Sequence, residues 1–71
     1  MFPLSLATIG EQYSVLKVTG DEEVRHFLSN LGFVEDAKVE LVSTLDGDVI
    51  VNIKDSRIAV NKDMAKHILI K

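Results

Sequence analysis

His26 and His67 are the only imidazoles in the chain, and it has no cysteine. Imidazole and thiolate are the usual transition-metal ligands, and a stable site takes three or four of them. His26 has one carboxylate within helical reach, Glu22, four residues earlier. His67 lies far away in sequence. These histidines therefore read as ordinary surface or boundary residues, and transition-metal binding by the isolated chain is expected to be weak or absent. Asp46-Gly47-Asp48 offers oxygen ligands but lacks the alternating donors and terminal Glu of a calcium loop. Its Asp-Gly pair is instead a hairpin-turn signal.

Catalytic patterns are equally sparse. Ser5, Ser14, Ser29, Ser43 and Ser56 sit in no G-x-S-x-G elbow. The four glycines are too dispersed to cradle a phosphate. Carboxylates are plentiful, but a general acid–base pair needs an enclosing cleft to separate the two pKa values. A pocket of roughly 300–1,000 Å³ would hollow out most of the core of so short a chain. The reading is a protein that is not an enzyme and carries no cofactor. The net charge is −3 and the eight basic residues are scattered. That argues against nucleic acid and against an anionic membrane surface. No apolar run approaches the ~18 residues of a membrane span. The opening MFPLSLATIG has neither the basic nor the long apolar region of a signal peptide. A cytoplasmic chain starting at Met1, and a single domain over residues 1–71, are expected. What remains as a functional surface is one that meets another protein.

The elements that would position such a surface are legible in outline. In DEEVRHFLSNLGF (residues 21–33), Val24, Phe27, Leu28 and Leu31 fall at i, i+3, i+4 and i+7. That is the apolar stripe of an α-helix. Asp21 is its N-cap, with Thr19 and Glu22 a competing capping box. Asp21, Glu22 and Glu23 complement the positive end of the dipole. Gly32 stands where a left-handed C-terminal cap belongs. The charged face, Glu22, Glu23, Arg25 and Asn30, reads as solvated or as a docking edge. Phe33 has two readings: the apolar partner of a Schellman cap, or, with Val34, an exposed anchor for a partner.

Elsewhere the pattern is short strands: Tyr13 to Val18, Val39 to Ser43, Val49 to Ile53, Arg57 to Val60 and Ile68 to Ile70. Asp46-Gly47 and Lys54-Asp55-Ser56 supply the turns between the middle three. Asn61 caps a short helical turn over 62–66. Met64 reads as core filler. At the start, Leu4, Leu6 and Ile9 are expected to anchor the chain, with Ser5 capping a single helical turn. Five strands, one inserted helix and a helical turn before the last strand predict a mainly β fold. Its form would be a small, strongly bent barrel, whose closure would remove exposed edges.

In this order and at this length, the chain resembles the FeoA family of bacterial ferrous-iron uptake. The matching residues are Leu4 and Gly10, Val24-Arg25-His26-Phe27-Leu28, and Leu31-Gly32-Phe33. Further along they are Ala37 and Val39, Gly47 with Val49-Ile50-Val51, Ile58-Ala59-Val60 before Asn61, and finally Ala65 and Ile68. One departure is Glu35-Asp36, where the family has Pro-Gly; Asp tolerates left-handed φ in a turn. The resemblance implies an SH3-like β-barrel with the helix inserted in its first long loop. It implies a non-enzymatic accessory role beside the membrane transporter FeoB, docking on that partner's cytoplasmic GTP-binding domain. The same barrel occurs in iron-dependent repressors, so a regulatory domain partnering a metal-sensing repressor is the alternative. In this barrel type the candidate surface lies where the helix-bearing loop faces the Thr44–Asp48 turn, with Arg25, His26, Phe33 and Arg57 as candidate contacts. A peptide groove for proline-rich ligands would want more aromatics than one Tyr, three Phe and no Trp.

Overall fold

Alternating apolar residues build most of the structure. The computed structural model describes all 71 residues. Its strands are β1 (Phe2–Pro3), β2 (Gln12–Val18), β3 (Lys38–Leu45), β4 (Asp48–Ile53), β5 (Ser56–Val60) and β6 (Ile68–Ile70). Helix α1 (Glu22–Asn30) lies between β2 and β3, and the short α2 (Lys62–Ala65) precedes β6. All pairings are antiparallel, in the order β1-β6-β2-β3-β4-β5. Val39 and Leu41 of β3 and Val49, Val51 and Ile53 of β4 are buried, as period-two alternation requires of a sheet with one covered face.

Bulges bend this sheet. Register shifts fall between Val15 and Lys17 of β2 and between Leu41 and Ser43 of β3. An extra residue increases the local twist and re-aims the strand. β2 accordingly pairs with β3 through Gln12–Ser14 and with β6 through Val15–Val18. The expected mainly β, SH3-like architecture holds, with two refinements. Phe2 and Pro3 add a sixth strand on Ile70 and Leu69. The ladder ends at β1 and β5 and does not close into a ring.

The turns follow local chemistry. Asp46 (φ 52°) and Gly47 (φ 91°) join Leu45 to its partner Asp48. Two successive positive φ values are what a tight hairpin needs to match strand twist. At the position of the missing Pro-Gly, Asp36 takes φ 70°, and its N–H donates to the Val15 carbonyl at 2.8 Å. The turn therefore survives with a strained residue. Asp36→Gly should raise stability by up to about 1 kcal/mol, because relief of left-handed strain exceeds the added unfolded-state entropy. A urea titration with unchanged slope and a higher midpoint would confirm it. The surface pair of Asp36 with Lys71, at 4.0 Å, is too exposed for its loss to offset that gain.

The N-terminal segment departs from expectation. Leu4 is fully buried, but Leu6 and Ile9 are exposed. A single 3-10 turn over Leu4–Leu6 follows Pro3, and no side chain caps it, so Ser5 is inside the turn and is not its cap. Three residues per turn cannot aim both Leu4 and Leu6 at one core. The arm is held instead by the Phe2 and Tyr13 rings, edge to face at 5.7 Å, and by the Thr8 N–H donating to the Tyr13 hydroxyl at 2.9 Å.

Candidate docking surface

Helix α1 starts at Asp21, whose carboxylate accepts the Val24 N–H at 2.9 Å. The competing Thr19 capping box does not form. Thr19 Oγ1 lies 3.1 Å from His67 Nδ1, and the Thr19 N–H donates to the His67 carbonyl at 2.8 Å, tying the helix entry to the turn that leads into β6. At the other end Gly32 adopts φ 109°. The Phe33 N–H reaches the Leu28 carbonyl at 3.1 Å, and the Gly32 N–H reaches Ser29 at 3.0 Å. These are the two bonds of a Schellman motif, which brings the residue after the glycine against the last turn.

The apolar partner in that motif is Phe33, which is only 1% exposed and belongs to the core with Leu28. This corrects its candidacy as a partner contact: the cap that ends the helix turns the ring inward. Val34 stays 41% exposed. Phe27, assigned with Leu28 to the buried stripe, is 50% exposed. Adjacent helix positions lie about 100° apart. The small sheet covers Leu28, with Val24 and Leu31 half-buried beside it, and leaves Phe27 on the rim. Polar Glu23 and Asn30 share that rim with Phe27. Their placement in the sequence was the available signal.

Three shallow grooves meet along this side. Val24, His26, Phe27 and Met64 line one. Phe27, Leu31, Val60 and Met64 line the next. Ala59, Val60 and Asn61 continue into a third that ends at Leu45 and Val49. The result is a path from α1 past α2 to the β3–β4 turn, with Phe27 at one end and Leu45, 71% exposed, at the other. The short α2 is fixed along it by two N-terminal bonds. The Asn61 side chain accepts the Met64 N–H, and Asp48 accepts the Lys62 N–H, both at 2.9 Å. Met64 is half-buried against the core while lining the grooves, so it serves both surfaces.

The remaining candidates separate into two regions. His26 is exposed in the groove beside Phe27. Arg25 is exposed, and its guanidinium donates to the Gly20 carbonyl at 2.6 Å, bracing the helix entry. Arg57 lies on a different, polar groove with Lys38, Glu40, Asn52 and Lys54. There its Nε donates to Asn52 at 3.2 Å, and Asn52 donates to Glu40 at 3.3 Å. No three His, Asp or Glu side chains converge on a point that could hold a metal. Anaerobic calorimetry with Fe²⁺ should therefore give weak binding or none. A stoichiometric site of sub-micromolar affinity would instead make the protein a metal carrier.

Comparison with known proteins agrees with this architecture. The family model "FeoA domain" matches residues 2–71. A Methanocaldococcus jannaschii protein, provisionally named Fe(2+) transport protein A, is 28% identical over 71 residues, covering 100% of this chain and 87% of that one. A FeoA of Stenotrophomonas maltophilia, solved with zinc and described as an SH3 domain protein, superposes with a TM-score of 0.86 at 21% identity, over 100% of this chain and 91% of the other. A manganese-dependent transcriptional repressor shares the fold, with a TM-score of 0.84 at 16% identity, over 93% of this chain but only 38% of the repressor. Helix, cap, bent sheet and the full-length match lead to one statement: this chain belongs to the FeoA family of ferrous-iron transport proteins.

Proposed function

We propose that the protein is a cytoplasmic, non-catalytic accessory of ferrous-iron uptake that docks on the GTP-binding domain of the membrane transporter FeoB and modulates its activity. The observation that carries the reading is the half-exposed Phe27, set in an apolar path that continues past Met64 to Leu45. A solvent-facing aromatic beside a pocket is the type of side chain that anchors protein interfaces. The path runs between the helix-bearing loop and the β3–β4 turn, the region expected for docking in this barrel type. His26 lines that end of it and is retained as a contact, with Arg25 exposed on the preceding helix position; Phe33 is not retained. None of the helices is long and apolar enough to cross a membrane, which suits a partner that supplies the membrane-embedded part.

The test is a calorimetric titration of the protein with the soluble GTP-binding domain, with and without guanine nucleotide. Saturable binding in either state supports docking. The repressor-partner reading rests on shared fold alone, and it predicts binding to a metal-dependent repressor and none to the transporter domain.

A further inference from the structure

We infer that the free edge of β5 receives an extended, acidic segment of the partner by antiparallel strand addition, an inference that rests on the docking proposed above. β5 is the last strand of the sheet, paired only with β4. A tight turn joins Ile53 to Ser56, and that closing pair is hydrogen-bonded in a two-residue hairpin. Alternation along the ladder then makes Val51–Ile58 and Val49–Val60 the bonded pairs. Arg57 and Ala59 consequently point their N–H and C=O groups away from β4. No backbone bond outside the ladders involves either residue. Both are exposed, so these groups are available. The opposite edge of the sheet is blunted, because β1 has only two residues and one of them is Pro3.

Side chains at this edge specify the occupant. Arg57 has only Asn52 as a hydrogen-bond partner, and the single ion pair in the protein is Lys71–Asp36. Lys38 and Lys54 line the same polar groove as Arg57, against the carboxylates Glu40 and Asp55, which leaves one positive charge in excess. That single positive excess, with Arg57 itself on the edge strand and no carboxylate paired to it, favours a segment carrying carboxylates. In an added strand the residue opposite Arg57 shares its outer face, where a carboxylate completes the pair. The next residue points to the other side, toward the apolar slot of Phe27, Leu31 and Met64. The structure thus selects alternating acidic and apolar residues in extended form. Main-chain bonds supply affinity and the slot supplies selectivity. A second copy of this chain does not suit the edge. A five-residue strand offers far less than the roughly 800 Å² per partner of a stable interface, and it carries Arg57 where a carboxylate is wanted.

The experiment is amide hydrogen exchange by NMR on the full chain, alone and with the soluble GTP-binding domain of the transporter. Strand addition predicts at least tenfold slower exchange at Arg57 and Ala59 in the complex. Ala59→Pro, which removes an N–H that no neighbour uses, should weaken the complex at least tenfold while its melt remains cooperative. Arg57→Glu should weaken it as strongly and abolish most of its salt dependence, which keeps the test valid if the proline variant fails to fold. Binding without protection at Arg57 and Ala59 overturns strand addition and leaves docking intact. No binding in any nucleotide state overturns both.

Discussion

Phe33→Asp unfolds the protein. The ring is buried with Leu28 beneath the Schellman cap, and the core has no buried polar residue to receive a carboxylate. An unpaired charge in such a site costs several kcal/mol or forces local unfolding. A small domain without disulfides has little margin against that loss, since total stabilities run from about 5 to 15 kcal/mol and short chains sit low in the range. Leu28→Ala tests the same core more gently and should cost about 2–5 kcal/mol. Circular dichroism should show no cooperative melt for Phe33→Asp and a strongly lowered urea midpoint for Leu28→Ala. A cooperatively folded Phe33→Asp would instead place the ring at the surface as a partner contact.

Phe27→Ser should produce the opposite phenotype: a folded protein that docks far more weakly. Half of the ring is already in water, so truncation forfeits only about 1 kcal/mol of stability. As the exposed aromatic anchor of the interface it should account for 2 kcal/mol or more of binding, roughly a thirtyfold loss of affinity. Paired melting and titration experiments separate the two effects. Equal affinity for the parent and Phe27→Ser would remove this rim from the interface.

The contrast between Phe33 and Phe27 marks how far the sequence reaches. Local signals were readable because they depend on neighbours in the chain. The Asp21 cap, the Gly32 terminus, the Asp46-Gly47 turn and the Asn61 cap each form where residue type demands. The strands are legible for the same reason, since alternation reports a half-buried sheet. Exposure on the helix was not legible. Val24, Phe27, Leu28 and Leu31 form one stripe by spacing, yet the bent sheet covers Leu28 and leaves Phe27 on the rim. That choice is set by how the sheet, bent at bulges in β2 and β3, packs over α1, which spacing along the helix does not report. Leu6 and Ile9 mislead likewise, because apolar type alone does not fix which way a short turn and the loop after it face. Arg57 and His26 share a functional expectation but occupy separate grooves, a separation set by tertiary geometry.

The central claim is that the path from α1 to the β3–β4 turn is where FeoB docks. Chemical-shift mapping with isotope-labelled protein and the unlabelled GTP-binding domain tests it most directly. The account predicts the largest shifts at His26, Phe27, Ala59, Met64 and Leu45, with Phe2, Lys17 and Leu69 unmoved. Shifts concentrated around the N-terminal arm and β6, with Phe27 and Leu45 silent in every nucleotide state, would contradict it.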